Sequence, residues 1–277
     1  MVRNPPFERS TMARISKAFK AFGILLRNPW KLNLVIDENE QWESRVRQKY
    51  NMKSLPVIPF DTFFQGQVDV EPYAFLDGGS LPTDLALLKM LAARIKGCKY
   101  FEIGTWRGES VANVAAVADT CYTLNLPDSE LAAMTGDANL VASQRLFSRS
   151  LTNVNHLEGN SSTFDFGSLN LKCDLVFIDG DHHYTAIVHD TKQVLQHLCH
   201  QHTVVVWHDY GYNPEKLRFE TMAAILDACP AALHPFLYHV EHTNCAVLFP
   251  EKLATSAFEK YKHPGHYFSV RLNSKPL

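Results

Sequence analysis

The most informative segment of the chain is DLVFIDGDHHY, residues 174–184. After Asp174 its first part is apolar up to residue 178, which is typical of a strand buried on both faces of a parallel sheet. The apolar run stops at Asp179-Gly180, and residues 185–199 then show the spacing of a long helix. A strand, a polar turn and a helix in this order predict one unit of an α/β sheet.

The same alternation recurs on both sides of this segment. Further strands are predicted at 98–103, 122–124, 154–157 and 203–207, and helices at 83–95, 109–118 and 139–148. Near the end, residues 236–240 and 246–249 flank a polar turn, which predicts a hairpin with one antiparallel strand at the sheet edge. The fold class expected is therefore α/β, with a doubly wound, mostly parallel seven-stranded sheet and an antiparallel C-terminal hairpin.

Residues 1–75 differ in character and are predicted to form a helical extension, whereas 76–277 form the main domain. A basic amphipathic helix is expected in the extension, because apolar residues recur at helical spacing among basic ones. Its apolar positions are Ile15, Ala18, Phe19, Phe22, Leu25 and Leu26. One interpretation is that this helix packs on its own domain. The other is that residues 12–27 contact an anionic lipid surface or a partner chain.

The composition narrows the classes of protein to consider. A hydrophobic content of 46% and a formal net charge of -2 indicate a folded chain and argue against a partner that is nucleic acid. No apolar run is long enough to predict a transmembrane segment. The six cysteines form no C-x-x-C pair, so we expect free thiols and a cytoplasmic location.

The residues that follow the predicted strands are candidates for a site, because ligands bind beyond the carboxyl ends of parallel strands. The first of these loops is EIGTWRGES, residues 102–110. Gly104 permits a tight turn, and Gly108 precedes a helix whose free N–H groups attract an anion. The spacing is neither a dinucleotide-binding G-x-G-x-x-G nor a P-loop.

Two further loops carry titratable groups. Asp179 follows one strand, and His208 and Asp209 follow the next. Neighbouring strands lie about 4.8 Å apart, so these side chains can converge on a divalent ion. The alternative is that they form ordinary polar turns.

These motifs resemble the class I S-adenosylmethionine-dependent methyltransferases. Residues 102–110 look like the cofactor loop of catechol-type enzymes, and FIDGDHHY (177–184) with WHDYG (207–211) resembles an uncharacterised bacterial branch. The resemblance covers roughly residues 76–250. It implies S-adenosylmethionine as cofactor and O-methylation of a hydroxylated small molecule, such as a sugar or natural product, assisted by a divalent metal.

The resemblance also implies roles for individual residues. Gly104, Thr105 and Gly108 would lie along the methionine part of the cofactor, Ser110 would bind its carboxylate, and Glu102 its amino group. Asn125, Asn160, Ser161 and Asp179 would complete the cofactor site. Asp179, His208 and Asp209 would hold Mg²⁺ or Mn²⁺, and His182 would be the catalytic base.

Two positions depart from the family pattern. Asn125 and Asn160 stand where carboxylates are common, so contacts to the cofactor would lack charge assistance. A binding module that has the fold without the chemistry is therefore an alternative function. A hydrolytic metal centre built from Asp179, His182, His208 and Asp209 is a second alternative, although it leaves the glycine loop without a role.

Overall fold

The structure is a computed structural model that describes residues 11–28, 38–64 and 66–276. The strands run as follows: β1 Val57–Ile58, β2 Lys99–Ile103, β3 Thr120–Asn125, β4 Val154–Glu158, β5 Cys173–Ile178, β6 Cys199–Trp207, β7 Gly211–Asn213, β8 Lys216–Leu217, β9 Leu237–Val240 and β10 Ala246–Leu248. The helices are α1 Thr11–Arg27, α2 Asn39–Tyr50, α3 Pro82–Ala93, α4 Glu109–Ala115, α5 Asp128–Thr135, α6 Ala138–Ala142, α7 Tyr184–Gln193 and α8 Phe219–Ala228.

The central sheet has the strand order β1-β9-β10-β6-β5-β2-β3-β4, and β7 and β8 form a separate hairpin. β6, β5, β2, β3 and β4 run parallel, whereas β10 is antiparallel to both of its neighbours. β4 lies at one edge of the sheet, and the chain then passes back across β3 and β2 to form β5 on the other side of β2. The direction in which successive strands are added therefore reverses between β2 and β5. Such a reversal opens a crevice at the carboxyl ends of the strands. The predicted α/β sheet with its hairpin is confirmed.

The strand count is corrected from seven to eight in the described part of the chain. The additional strand, β1, pairs in parallel with β9 through Val57 and His239. Two residues are too few to produce a detectable apolar period, which explains the omission. The antiparallel strand β10 also lies between β6 and β9 and not at the edge. The division at residue 75 stays a prediction, although β1 shows that the extension contributes to the sheet.

Two helical predictions need correction. α5 was not expected, although Pro127 before it and Gly136 after it, with φ of 66°, are ordinary helix boundary signals. α6 ends at Ala142 and not at residue 148. A regular helix cannot include Arg145, because its φ is 57°.

Both faces of the sheet are buried, as the apolar strands predict. Val176 and Ile178 of β5 point into one core cluster, and Leu175 and Phe177 into the other. Each large apolar side chain buried in this way contributes about 1.5–3 kcal/mol. Helices therefore cover the sheet on both sides, and only the loops at the strand ends remain free to build a site.

The extension is held in place through α2. Asp227 of α8 accepts hydrogen bonds from Arg45 at 2.7 Å and from Lys49 at 2.5 Å. Trp42 stacks on Tyr184, with ring centroids 4.9 Å apart. These contacts anchor α2 on α7 and α8, close to the loop that carries His182.

α1 presents its side chains to solvent. From residue 16 onward every α1 side chain except that of Leu25 is exposed, including Phe19, Phe22 and Leu26. The structure therefore does not show the packed arrangement that was one of the two interpretations. In the described part of the chain, no helix combines the length and apolar character needed to cross a bilayer.

Candidate active site

Three loops meet at the carboxyl ends of β2, β5 and β6. The backbone N–H of Asp179 donates to Ile103 at 2.9 Å, and that of His208 donates to Ile178 at 3.1 Å. A Cβ placed on Gly104 would lie 2.0 Å from the carbonyl oxygen of Asp179. The glycine loop and Asp179 are therefore in direct contact, as the family resemblance implied.

His182 and Asp209 form a hydrogen-bonded pair. The distance between His182 Nδ1 and Asp209 Oδ2 is 2.7 Å, and about half of the imidazole remains exposed. The hydrogen bond that His182 donates to Asp209 raises the pKa of His182 above its usual value. Burial opposes ionisation of Asp209, but hydrogen bonds from His182 and His208 hold its pKa well below the usual range. Asp209 therefore stays ionised and orients the imidazole.

His208 is held between two carboxylates. Its Nδ1 lies 3.0 Å from Asp179 Oδ1, and its Nε2 lies 3.2 Å from Asp84 Oδ2. Burial disfavours the charged ring, but Asp179 and the hydrogen bonds raise the pKa of His208 well above its ordinary value. Both nitrogens are engaged, so His208 acts here as an imidazolium between Asp84 and Asp179. Its predicted role as a metal ligand stays a prediction.

Asp84 is a site residue that sequence reasoning missed. Its carboxylate is fully buried and accepts hydrogen bonds from the backbone N–H groups of Leu81 and Asn244, both at 2.8 Å. An acidic residue in the first turn of a helix is common for capping reasons alone. Nothing in the local sequence therefore distinguishes Asp84 as a partner of His208.

Three side chains have the geometry of a metal site. Ligand atoms of Asp179, His182 and Asp209 all lie within 4.8 Å of one another. This set shares Asp179 and Asp209 with the predicted one and adds His182. Two carboxylates and one imidazole are suitable ligands for Mn²⁺, Fe²⁺ or Zn²⁺. A cation bound there would replace the His182–Asp209 hydrogen bond.

The glycine loop has a left-handed backbone at its two glycines. Gly104 has a φ of 95° and Gly108 a φ of 81°. A Cβ on Gly108 would lie 2.2 Å from the hydroxyl oxygen of Ser148, so both positions also require glycine for close packing. α4 begins directly after Gly108 and points its free N–H groups at the crevice.

The polar residues of this loop are engaged within the protein. Glu102 is buried and accepts hydrogen bonds from Tyr100 at 2.6 Å and from Thr123 at 3.2 Å. Burial raises the pKa of Glu102 to about 8, while hydrogen bonds such as that from Ser110 oppose the rise. Thr105 is buried, with its hydroxyl 2.5 Å from that of Thr123. The predicted roles of Glu102, Thr105 and Ser110 in cofactor binding stay predictions.

A segment before α3 covers the glycine loop. Residues 78–80, 104–110 and Asp179 enclose a cavity of about 20 Å³, which is room for roughly one water molecule. Trp106 Nε1 is buried there without a hydrogen-bond partner and lies 3.7 Å from the place of a Cβ on Gly78. The pair Gly78-Gly79 is the sequence feature that marks this covering segment. It precedes α3 and does not follow a strand, so a search of strand ends does not find it.

The predicted ribose and adenine residues lie at the ends of β3 and β4. Asn125 donates to Gln144 at 2.9 Å, and Asn160 accepts from the backbone of Ser162 at 3.0 Å. Ser161 donates to Asp190 at 3.3 Å. Asp190 was missed, because it lies within α7; it is buried, and burial raises its pKa to about 6. The contacts of these residues to a cofactor stay predictions.

The chain is similar to known methyltransferases. Residues 101–210 match the family model described as a methyltransferase domain. Similar solved structures include the SAH-bound methyltransferase PaMTH1 of Podospora anserina, with 14% identity, 91% of this chain and 100% of that chain covered, and a TM-score of 0.44. An O-methyltransferase from Bacillus cereus in complex with SAH has 15% identity, covers 63% and 84%, and gives a TM-score of 0.44.

A Klebsiella pneumoniae structure described as a possible O-methyltransferase has 15% identity, covers 76% of this chain and 98% of its own, and gives a TM-score of 0.42. A comparison with curated proteins gives no match. The family match spans the glycine loop, β5 and the His208-Asp209 loop, which are the parts that build the candidate site. Residues 101–210 therefore resemble a methyltransferase domain, and the chain has the doubly wound α/β fold that this resemblance implies.

Proposed function

We propose that this domain transfers the methyl group of S-adenosylmethionine to a hydroxyl group of a small molecule, with His182 as the general base. The observation that carries the proposal is the His182–Asp209 pair, which lies beside the glycine loop at the reversal of strand order. Class I methyltransferases bind their cofactor at this end of the sheet, so acceptor and donor would meet there.

The residues at the glycine loop are chemically suited to the cofactor. Free N–H groups at the start of α4 and the Ser110 hydroxyl suit its carboxylate, and the buried Glu102 carboxylate suits its ammonium group. Trp106 Nε1 offers an unused donor. The cofactor supplies a methyl group on a positively charged sulfur. Because the cavity holds only about 20 Å³, residues 78–80 must move outward for binding.

The base is prepared by its neighbours. Asp209 accepts the Nδ1 proton of His182, so Nε2 is left as the basic nitrogen. In the described part of the chain Nε2 has no hydrogen-bond partner, and half of the ring is exposed to an acceptor. Nε2 can then take the proton of the acceptor hydroxyl, and the nearby Asp209 charge stabilises the resulting imidazolium.

The test of this function is a calorimetric titration with S-adenosylhomocysteine, with and without Mg²⁺ or Mn²⁺. We expect saturable binding at one site per chain. Absence of binding would instead support the alternative function, a module that has the fold without the chemistry. That alternative is favoured by the small cavity and by the amides at Asn125 and Asn160.

A divalent cation held by Asp179, His182 and Asp209 would take the place of the His182–Asp209 hydrogen bond, so in the metal-bound protein His182 would be a ligand and not the base. When bound, it lowers the pKa of a coordinated hydroxyl group. We expect Mn²⁺ to bind the wild-type protein in a calorimetric titration, and Asp179→Ala to weaken that binding at least about tenfold. Asp181→Ala is the matched control, because the Asp181 carboxylate bonds to His183 outside this set. Equal Mn²⁺ affinity of Asp179→Ala and wild type would contradict the metal site.

The pH dependence of turnover should report on His182. A base must be neutral, so activity rises with pH through the pKa of the ring. The hydrogen bond to Asp209 raises that pKa, and we therefore expect the acidic limb of kcat/KM to have its midpoint above about 6.5. Asp209→Asn removes the negative partner and should shift the midpoint to lower pH. If the midpoint is unchanged in Asp209→Asn, the acidic limb of the profile does not report the ionisation of His182.

We also propose that α1 binds an anionic lipid surface. The helix carries four basic residues and no acidic one in TMARISKAFKAFGILLR, and Phe19 and Phe22 are exposed on one face. Phe19→Ser with Phe22→Ser should abolish sedimentation with phosphatidylserine vesicles. Ile24→Ser is the control, because Ile24 lies about 160° away from Phe22 around the helix. Equal binding to neutral phosphatidylcholine vesicles would contradict the role of charge.

The location proposed is the cytoplasm. The six cysteines are all free thiols, and five of them are buried. Thiols persist in this form in a reducing compartment.

A further inference from the structure

Arg218 borders the candidate active site. It lies between β8 and α8, and its backbone N–H donates to the carbonyl of Tyr210 at 2.8 Å, next to Asp209. Asp209 raises the pKa of His182 through their hydrogen bond, and the positive charge of Arg218 opposes that rise. Glu220, which lies 3.8 Å from the guanidinium, accepts the backbone N–H of Tyr184, two residues after His182, so the guanidinium lies beside the loop that carries His182.

The hydrogen-bonding capacity of this guanidinium is largely unused. Nε is shielded from solvent and has no hydrogen-bond partner. Within the part of the chain that the structure describes, its ion-pair partner is Glu220, and the distance of 3.8 Å from Nη2 is too long for a hydrogen bond. The side chain is only 19% exposed, and the ring of Tyr212 lies 5.6 Å from it.

Glu220 is engaged elsewhere. Its Oε1 accepts the backbone N–H of Tyr184 at 2.8 Å, at the start of α7. A largely buried guanidinium whose Nε lacks a hydrogen-bond partner is costly to maintain, unless a ligand supplies that partner. A guanidinium edge matches a carboxylate in two parallel hydrogen bonds.

We propose that Arg218 binds a carboxylate of the methyl acceptor, so that the substrate is a hydroxylated acid. The inference rests on the proposed methyl transfer and adds the chemical class of the acceptor. Asp179 and Asp209 give the opposite side of the site a negative character, which repels an acid. The positive charge of Arg218 offsets that repulsion only near the guanidinium. An acid is therefore expected to bind with its carboxylate toward Arg218.

The test compares acids with their neutral amides as methyl acceptors. The probes are 3,4-dihydroxybenzoate against 3,4-dihydroxybenzamide, and D-glucuronate against D-glucuronamide. In at least one pair we expect kcat/KM of the wild type to favour the acid by about tenfold or more. Arg218→Met should bring that ratio close to one, mainly through a higher KM for the acid, and Arg218→Lys should retain part of the preference.

Two controls separate recognition from folding. Arg94→Met removes a cation that also lies over an aromatic ring, Phe63, but at the opposite end of α3 from Asp84, and should leave the ratio unchanged. Glu220→Gln removes the charge near Arg218 while keeping an acceptor for the N–H of Tyr184. If Glu220→Gln lowers the acid-to-amide ratio of kcat/KM as much as Arg218→Met does, then the loss comes from breaking the Arg218–Glu220 ion pair and not from losing a contact to the substrate. That result overturns the inference.

The wild type alone also provides a decisive comparison. Equal turnover of acid and amide, or no turnover of either acid by protein that binds S-adenosylhomocysteine, overturns this inference and leaves the proposed cofactor site in place. Failure to bind S-adenosylhomocysteine overturns the proposed function and this inference with it.

Discussion

His182→Ala should lower kcat by about 10²–10⁴-fold while leaving the affinity for S-adenosylhomocysteine within about twofold of wild type. The imidazole is the group with a free basic nitrogen beside the crevice, and it contacts the protein through Asp209. Its removal takes away the proton acceptor without disturbing the glycine loop. Initial rates at saturating cofactor and a calorimetric titration measure the two quantities separately.

The chain offers a matched control one residue away. His183 is also exposed, and its ring bonds to Asp181, which points away from the metal-binding set. His183→Ala should therefore keep kcat within about twofold of wild type. Asp209→Asn combined with His182→Ala should be no slower than His182→Ala alone, because the two residues act as one unit. Equal loss of turnover and cofactor affinity in His182→Ala would exclude the base role.

Gly104→Ala should destabilise the protein by more than about 3 kcal/mol. Two costs add at this position. The φ of 95° is unfavourable for any residue with a Cβ, and that Cβ would lie 2.0 Å from the carbonyl oxygen of Asp179. The backbone of β5 cannot retreat, because Asp179 is hydrogen-bonded to Ile103. Chemical denaturation followed by circular dichroism measures the loss.

Gly97→Ala isolates the conformational part of this cost. Gly97 has a φ of 70°, and nothing lies within 4 Å of the Cβ that alanine would add. We expect a loss of about 1–2 kcal/mol from backbone strain alone. If Gly104→Ala is no less stable than Gly97→Ala, then the close approach of the glycine loop to Asp179 does not exist in solution.

The elements that can be predicted from local sequence are those with a strong period. The apolar runs of β2, β5 and β6 are long enough to identify buried strands, and the polar residues after them mark the strand ends. The contact of the glycine loop with Asp179 depends on the pairing of β2 with β5, which are not consecutive strands, so the family resemblance implied it and local pattern did not. β1 and α5 were missed because a two-residue strand and a short polar helix produce little pattern.

The family's motifs located the site, but they did not determine its hydrogen bonds. His208 and Asp209 are adjacent in sequence, and either could bind a metal. The structure places His208 Nε2 against Asp84, which lies 124 residues earlier, and pairs His182 with Asp209. A carboxylate in the first turn of a helix has the same local appearance whether it only caps that helix or also binds a distant side chain.

The chain's own sequence thus determined the α/β architecture, the position of the glycine loop and the set of titratable residues at the strand ends, since these depend on local periodicity and on the parallel arrangement that follows from it. Tertiary structure alone decided which carboxylate meets which imidazole, that residues 78–80 cover the glycine loop, and that Arg218 lies beside the loop that carries His182. These are contacts between segments far apart in sequence, and packing selects them from many pairings that local physical chemistry permits equally.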